Sequence, residues 1–369
     1  MTIVTSHTVT PAGGAGNGRV RHLVDQRLGE LLDQELARLG FLGEEGVGLV
    51  RRHLAAFARD GGKRLRPAFV YWGHRAAGGT AADLGAVLNA ACAVELVHVA
   101  ALLLDDVMDE APGRRGRPAA HVALAAEHRR AGLRGDPARY GESQTTLLAL
   151  LALAWADAAL LGSGPHLADA LGVLTRLRVE VTAGQQLDLA GTAAGADTGR
   201  TRTIALYKSA KYTIERPLHL GHAVAGGEPA ARRALSAYAL PLGEAFQLRD
   251  DVLGVFGDPG RTGKPAADLR QGKPNHLVAA ARERTGPRGA ALLDAVLLDA
   301  APNDGCATEE DVVVARELIV SCGALDAAER RIAALAAQAV GALDALPGLP
   351  GDARAALTEL TVLATDRSR

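Results

Sequence analysis

In the stretch LLLDDVMDEAPGRRGRPAAH, residues 102–121, an apolar run is followed by three aspartates, Asp105, Asp106 and Asp109. Residues that are four positions apart share one face of a helix, so a helical run brings Asp105 and Asp109 together. Two adjacent arginines follow shortly after the aspartates. The stretch therefore predicts a helix that ends in a carboxylate cluster with cations close by.

The same helical spacing extends over most of the chain. From residue 19 onward apolar residues recur at three- and four-residue steps, for example among the leucines of residues 23–36. Strand-like alternation and Asn-Gly hairpin signals are absent there, and Gly/Pro clusters separate the helical segments. The sequence predicts an all-α protein with roughly a dozen helices.

The predicted domain organisation is simple. Residues 1–18 are rich in glycine and lack an apolar period, which is typical of a disordered tail. Residues 19–369 show no shift in composition and are predicted to form one helical domain. The apolar run Leu147–Leu161 is interrupted by Asp157 and is too short to span a bilayer, so we expect a buried helix.

Composition excludes several classes of partner. The chain has 369 residues with 41 basic and 42 acidic side chains, so neither nucleic acid nor an anionic membrane is expected as the main partner. The three cysteines, Cys92, Cys306 and Cys322, match neither a disulfide framework nor a zinc spacing. The N-terminal stretch has no signal-peptide pattern. We expect a cytoplasmic protein without stable membrane insertion.

A second acidic cluster repeats the first in altered form. In FQLRDDVLGVFGD, residues 246–258, Asp250 and Asp251 follow Gln247 by one helical turn. Carboxylates held this close repel each other unless a cation lies among them. Magnesium prefers oxygen and is usually held by one or two carboxylates together with phosphate oxygens and water. No His or Cys pair has zinc-ligand spacing beside either cluster, which argues against zinc.

A solvated acidic helix end is the plain alternative for one such cluster. Two clusters, each on an apolar helix and each followed by basic residues, favour a site that binds diphosphate through magnesium. Arginine supports this interpretation because its guanidinium binds phosphate in a bidentate manner. Further basic residues in three other stretches, residues 60–69, 206–217 and 261–273, are candidates for the same anionic site.

Taken together, the motifs resemble those of the trans-type polyprenyl diphosphate synthases, and most closely those of bacterial geranylgeranyl diphosphate synthases. The resemblance covers residues 20–365, and its landmarks are GGKRLRP (61–67), DDVMD (105–109) with RRGRP (114–118), GQQLDL (184–189), YKSAKYT (207–213), FQLRDDVLG (246–254) and GKP (263–265). It implies a single-domain helical bundle of the isoprenoid synthase type with a central active-site cavity. It also implies a homodimer.

The resemblance assigns a role to each matching residue. Asp105, Asp109 and Asp250 are expected to ligate three Mg²⁺ ions, with Asp106 and Asp251 supporting them. The allylic diphosphate is expected to bind Arg114, Lys208, Ser209 and Lys264, with Gln247 nearby. Isopentenyl diphosphate is expected to bind Lys63, Arg66, His98 and Arg115. The implied reaction is ionisation of the allylic diphosphate and attack by the isopentenyl double bond. No protein base is expected, because the released diphosphate takes the proton.

Two alanines bear on product length. Many family members carry a bulky aromatic at the fourth or fifth position before the first aspartate, where this chain has Ala101 and Ala100. Small side chains there leave space about 7.5 Å below Asp105 on its helix. We therefore expect these alanines to form the floor of a channel that accepts a product longer than farnesyl, with geranylgeranyl diphosphate as the expected product.

The chain departs from the family pattern at several positions: Leu104, where His is frequent, Ala149-Leu150, where Gly-Asp is frequent, Gly254, where many members have a third Asp, and Pro274-Asn275, where a basic residue and Thr are usual. The change at Pro274-Asn275 lies near the second diphosphate-binding segment and therefore bears on specificity or rate rather than on the fold.

Two other functions stay open at this point. A class I terpene cyclase shares the fold and the first aspartate motif, but the nearest match to its second magnesium motif, NDGCATEED (303–311), has Ala307 and Asp311 at positions that need other residues. A non-catalytic subunit of a heteromeric synthase is the other alternative. Such subunits typically lose aspartates or arginines, and this chain retains both.

Overall fold

The computed structural model describes residues 13–114, 116–194, 197–257, 269, 275–298 and 308–366. The described residues form helices joined by turns and loops, and the strands among them are one short antiparallel pair, β1 (Gly113–Arg114) and β2 (Arg117–Pro118). The predicted all-α class is confirmed.

The helices are α1 (Gly13–Arg38), α2 (Gly43–Val50), α3 (Ala56–Arg59), α4 (Leu65–Ala76), α5 (Leu84–Met108), α6 (Ala120–Arg130), α7 (Pro137–Leu161), α8 (Leu167–Ala194), α9 (Thr198–Ile204), α10 (Arg216–Val224), α11 (Pro229–Phe256), α12 (His276–Arg284), α13 (Gly286–Leu298), α14 (Glu309–Ser321), α15 (Ala324–Asp344) and α16 (Gly351–Thr365). Short 3₁₀ turns lie at Gly40–Leu42 and Ala81–Asp83. Two π-helical segments, Arg51–Ala55 and Ala205–Glu215, continue directly into α3 and α10.

Helix α5 is the central helix of the bundle. A helix that is apolar on all sides is buried on all sides, and every residue from Val87 to Val97 is buried here. Toward its C-terminal end the helix opens along one face, because His98, Ala101 and Asp105 are only partly buried. These residues follow the spacing of one helical face, so α5 carries a stripe that leads up to the first aspartate.

Two apolar cores meet at α11. Tyr238, Leu242 and Phe246 belong to the larger core, which includes α1, α4, α5 and α7. Leu248 and Val252, further along α11, belong to a second core formed with α12 to α15. The second core fixes the end of α11 that carries the second aspartate cluster.

The predicted disordered tail, residues 1–18, overlaps the first helix of the structure at residues 13–18. Helix α1 already begins at Gly13. The side chain of Asn17 donates to Glu359 at 2.7 Å and accepts from the indole N–H of Trp72 at 2.7 Å. These contacts with α4 and α16 hold the start of α1 without any apolar period, so the sequence pattern could not reveal it. Residues 1–12 lie outside the described residues.

The predicted buried helix at 147–161 is the second half of a longer helix that is buried on one side only. Leu147, Leu150 and Leu161 are 58%, 55% and 70% exposed, and Asp157 forms an ion pair with Arg178 of α8 at 2.7 Å. Among the described residues, two segments are long and apolar enough to cross a membrane, Ala81–Met108 and Pro137–Leu161, and the apolar 18-residue windows within them are 72% and 44% buried in the protein. The first is the core helix α5.

Candidate active site

The first aspartate cluster has an inward and an outward side. Asp106 is 2% exposed, and its two carboxylate oxygens accept from Nε of Arg114 at 2.8 and 3.0 Å. The same guanidinium donates to Asp105 at 3.1 Å. Asp105 and Asp109 are only partly buried. Asp106 therefore holds Arg114 in position, and Asp105 and Asp109 lie on the more open side, as their i, i+4 spacing predicts.

Lys208 connects this cluster to a third helix. Its ammonium lies 3.3 Å from Asp105 and 2.5 Å from Asp188 of α8. Burial lowers the pKa of Lys208, but the two carboxylates more than offset this effect and hold the pKa above its usual value. Burial likewise lowers the pKa of Arg114, and its bond to Asp106 with the surrounding carboxylates raises it overall. Both side chains are permanent cations beside the aspartates.

The π-helical segment Ala205–Glu215 carries Lys208 between two helices that approach it closely. A Cβ on Gly184 of α8 would lie 2.6 Å from the backbone nitrogen of Lys208, and one on Gly243 of α11 would lie 2.3 Å from Cα of Ala210. Only glycine permits both approaches. π-helical turns are rare and occur frequently at functional sites. The two glycines therefore fix the position of the segment that supplies Lys208 and Ser209.

The second cluster also divides into two roles. The hydroxyl of Ser209 donates to the side-chain oxygen of Gln247, and the amide of Gln247 donates to Asp251 at 2.7 Å. The other carboxylate oxygen of Asp251 accepts from the backbone N–H of His276 at 2.9 Å. Asp251 is 6% exposed, whereas Asp250 is only partly buried. Asp251 thus joins Gln247, one turn earlier on the same helix, to the start of α12.

Asn275 explains part of one departure from the family pattern. Its side chain accepts from the N–H of Leu277 at 2.9 Å and donates to the carbonyl of Asp251 at 3.1 Å. Asn is a favoured N-cap residue, so Asn275 starts α12 and binds it to the second cluster. Of the predicted site residues, Arg115 and Lys264 lie outside the described residues, as do Pro274 and most of residues 303–311.

A third group of residues meets at Tyr212 in the π-helical segment. The Tyr212 hydroxyl lies 3.0 Å from Nδ1 of His98, and the guanidinium of Arg66 lies 4.5 Å from the centre of the Tyr212 ring. Arg66 also donates to Thr213 at 2.9 Å. The structure therefore brings together two of the residues predicted to bind isopentenyl diphosphate, although they belong to α4 and α5.

The basic residues of GGKRLRP differ in role. Arg64 adopts a left-handed conformation with φ of 51° and is 4% exposed. Its guanidinium pairs with Asp25 at 2.8 Å and with Glu95. Lys63 is exposed and Arg66 is partly buried. Arg64 is thus a structural anchor, and its flanking residues Lys63 and Arg66 remain the candidates for binding an anion.

The two alanines predicted to set product length are not equivalent. Ala100 is 1% exposed and packs in the core, whereas Ala101 is partly buried and lies on the open stripe of α5 with Asp105. The Ala149-Leu150 departure is likewise split, because Ala149 is fully buried and Leu150 is 55% exposed.

Sequence reasoning missed Asp188 and Tyr212 as members of the site. Both lie within motifs that the family resemblance highlights, GQQLDL and YKSAKYT. The signal for Asp188 was an acidic residue placed between two leucines, Leu187 and Leu189. The signal for Tyr212 was a single aromatic residue four positions after Lys208, which is indistinguishable from a core aromatic without the structure.

The donor set fits magnesium. Within the described residues, no three His, Cys, Asp or Glu side chains form a complete metal cage. Both clusters offer only hard oxygen ligands, and the cations Arg114 and Lys208 lie beside Asp105. Magnesium is usually bound by a few carboxylates and completed by phosphate oxygens and water, so an incomplete cage is the arrangement that a diphosphate would complete.

This arrangement defines an all-α prenyltransferase, and comparison with known proteins gives its family. A family model described as polyprenyl synthetase matches residues 48–310. Geranylfarnesyl diphosphate synthase of Aeropyrum pernix is 34% identical over 282 residues, which cover 74% of this chain and 80% of that protein. The chain belongs to the polyprenyl synthetase family and is a trans-prenyltransferase.

Solved structures of related proteins support the same family and fold. Geranylgeranyl pyrophosphate synthase from Corynebacterium glutamicum, complexed with isoprenyl diphosphate and magnesium, superposes with a TM-score of 0.88 at 36% identity, covering 95% of this chain and 99% of that chain. A polyprenyl synthase from Caulobacter crescentus, complexed with calcium and isoprenyl diphosphate, superposes with a TM-score of 0.77 at 29% identity, covering 98% and 100%. The predicted family and the isoprenoid synthase fold are confirmed.

Proposed function

We propose that this site condenses isopentenyl diphosphate with an allylic diphosphate to form geranylgeranyl diphosphate and release diphosphate. The observation that carries this proposal is the position of Lys208 and Ser209. These neighbours in the π-helical segment contact the first aspartate cluster and, through Gln247, the second. A diphosphate bound at this segment is within reach of both clusters.

Asp105, Asp109 and Asp250 are the proposed ligands of three Mg²⁺ ions. When bound, magnesium supplies positive charge that stabilises the departing diphosphate. Asp106 and Asp251 support the ligands indirectly, since one fixes Arg114 and the other fixes Gln247. This division follows from their burial and from the bonds that occupy their oxygens.

The chain's own cations hold the allylic diphosphate. Lys208 and Arg114 stay protonated beside Asp105 and offer hydrogen bonds to phosphate oxygens, with Ser209 and Lys264 assisting. Donors that are already oriented stabilise the charge that develops as the C–O bond breaks. The proton lost after carbon–carbon bond formation passes to the released diphosphate, so the protein needs no base.

Isopentenyl diphosphate is proposed to bind at Lys63, Arg66, His98 and Arg115. Arg66 and His98 meet around Tyr212 at the side of α5 that carries Asp105. The growing chain then follows the open stripe of α5 past Ala101. An alanine at this level leaves room for a chain longer than farnesyl.

One incubation tests the proposal. Purified protein is given magnesium, isopentenyl diphosphate and, separately, dimethylallyl, geranyl or farnesyl diphosphate, and products are identified by mass spectrometry after dephosphorylation. Geranylgeraniol is the expected result. Cyclic hydrocarbon would instead indicate a terpene cyclase. No elongation from any starter would indicate a non-catalytic subunit of a heteromeric synthase.

We also propose that the enzyme is a cytoplasmic homodimer. Exposed apolar side chains on α7 and α8 support the dimer, because Leu147 and Leu150 of α7 are 58% and 55% exposed and Val179 of α8 is 63% exposed. A second copy of the same surface would cover these side chains. Light scattering of the wild type should give twice the monomer mass, and Leu150→Glu should give monomers.

Burial of α5 within the bundle supports the proposed absence of stable membrane insertion.

A further inference from the structure

Tyr212 touches both α4 and α5 from a buried position. Its side chain is 4% exposed, its hydroxyl reaches Nδ1 of His98 at 3.0 Å, and its ring lies 4.5 Å from the guanidinium of Arg66. It lies in the same π-helical segment as Lys208. One aromatic side chain therefore connects two proposed ligands of isopentenyl diphosphate to the segment that is proposed to bind the allylic substrate.

The direction of the hydrogen bond follows from the chemistry of the phenol. Burial raises the pKa of Tyr212 to about 12, so the hydroxyl keeps its proton. A buried O–H needs an acceptor, and His98 is the hydrogen-bond partner of this hydroxyl among the described residues. Tyr212 is thus the donor and Nδ1 of His98 the acceptor. A neutral imidazole that accepts at Nδ1 carries its proton on Nε2.

The ring has a separate effect on Arg66. A guanidinium over a tyrosine face is attracted by the ring and loses freedom of rotation. The bond from Arg66 to Thr213, the next residue, restrains the same guanidinium at 2.9 Å. Two neighbouring residues therefore set the orientation of Arg66, one through its ring and one through its hydroxyl.

We infer that Tyr212 is a positioning residue for isopentenyl diphosphate, which makes Nε2 of His98 the hydrogen-bond donor and orients Arg66 for the same diphosphate. This inference rests on the proposed function of the site. It assigns to Tyr212 an action through His98 and Arg66, without direct contact to the substrate.

Tyr212→Phe is the primary test, because it removes the hydroxyl and keeps the ring under Arg66. The expected result is an increase of about tenfold in the KM for isopentenyl diphosphate, with kcat and the KM for the allylic substrate within about twofold of wild type. Tyr207→Phe is the matched control. It removes a hydroxyl from the same segment, where the Tyr207 ring lies 5.6 Å from the ammonium of Lys211, and should leave the KM for isopentenyl diphosphate unchanged.

A double-mutant cycle separates positioning from general damage. If Tyr212 acts through His98, then adding Tyr212→Phe to His98→Gln should not raise the KM for isopentenyl diphosphate any further. The inference would be overturned if the two substitutions raised this KM independently, so that their effects multiplied in the double variant. It would also be overturned if Tyr212→Phe kept the wild-type KM and melting temperature.

The third measurement needs no substrate. Imidazole ¹⁵N signals of His98, assigned with His98→Gln, should report an Nε2–H tautomer in the wild type and a mixture of tautomers in Tyr212→Phe. The same tautomer in both proteins contradicts the inference. Because this readout is independent of turnover, it distinguishes a failure of the inference from a failure of the proposed function, which would appear as a wild type that elongates no starter.

Discussion

Lys208 and Asp105 face each other at 3.3 Å, although they are 103 positions apart in the chain. The contact joins the π-helical segment to the end of α5, and Asp188 completes it from α8 at 2.5 Å. In the absence of substrate, the ammonium neutralises carboxylates that would otherwise repel each other. Under the proposed function Asp105 would help to hold magnesium, and the ammonium of Lys208 would then be available to a phosphate oxygen.

Lys208→Met should lower kcat with an allylic starter by about 100-fold, because one preorganised cation is lost from the departing diphosphate. Steady-state kinetics at saturating isopentenyl diphosphate measures this loss. Arg202→Met is the control, since Arg202 is a 64% exposed cation on the preceding helix. Equal losses in the two variants would show that net charge, and not the position of Lys208, matters.

Asp105→Asn and Asp106→Asn should fail in different ways. Asp105→Asn should raise the magnesium concentration needed for half-maximal activity by about tenfold and leave the melting temperature nearly unchanged. Asp106→Asn removes the buried charge that pairs with the partly buried Arg114 and should lower the free energy of unfolding by about 2 kcal/mol. Magnesium titration and urea unfolding of both variants provide the comparison. A stable Asp106→Asn variant with a weakened magnesium response would reverse the two assigned roles.

The division within each Asp-Asp pair shows how far sequence reasoning extends. Spacing alone favoured Asp105 and Asp109 on one face, and the burial of Asp106 agrees with it. Spacing does not distinguish Asp250 from Asp251, and only the family resemblance gave them different roles, because the inward role of Asp251 depends on the backbone N–H of His276, 25 positions later. Helical periodicity predicts local faces, whereas these roles arise from contacts between distant segments.

The π-helical segment marks a second limit. Its wider turn changes which side chains share a face, so the spacing rules for an α-helix do not apply between Lys208 and Tyr212. The segment is held by close approaches at Gly184 and Gly243 that only the folded chain reveals. This explains why the motif YKSAKYT could be recognised in the sequence although the role of Tyr212 could not.

Gly184→Ala should disturb the site through packing alone. The new methyl group would lie 2.6 Å from the backbone nitrogen of Lys208, so the π-helical segment must shift. Overpacking of this kind costs about 1–3 kcal/mol of unfolding free energy, and kcat should fall with it. Gly172→Ala in the same helix is the matched control, because its added Cβ meets nothing within 4 Å. Alanine in an open helical position should stabilise the protein by up to about 1 kcal/mol.

Product length should respond more to Ala101 than to Ala100. Ala101→Phe fills the open stripe of α5 below Asp105 and should shift the product from geranylgeranyl toward farnesyl or geranyl diphosphate, with the fold retained. Ala100→Phe points a ring into a packed core and should cost about 1–3 kcal/mol of stability. Chromatography of the dephosphorylated products and thermal melting distinguish the two effects. An unchanged product spectrum in Ala101→Phe would mean that the floor of the channel lies on another helix.

Acid should destabilise the protein through buried histidines, of which His222 is the simplest case. Burial, with a further contribution from the nearby charge of Arg232, lowers the pKa of His222 from 6.5 to about 4, although Asp169 acts in the opposite direction. Because the unfolded chain takes up the proton first, the contribution of His222 to stability is complete above pH 6.5 and is lost as the pH falls toward 4. The free energy of unfolding should drop by about 2 kcal/mol from this residue alone at about pH 5.

Urea unfolding of wild type and His222→Leu between pH 7 and about pH 4 measures the effect, and the variant should lose less stability on acidification. Parallel curves for the two proteins would assign the acid sensitivity to other groups, among them His219, whose pKa burial likewise lowers to about 4.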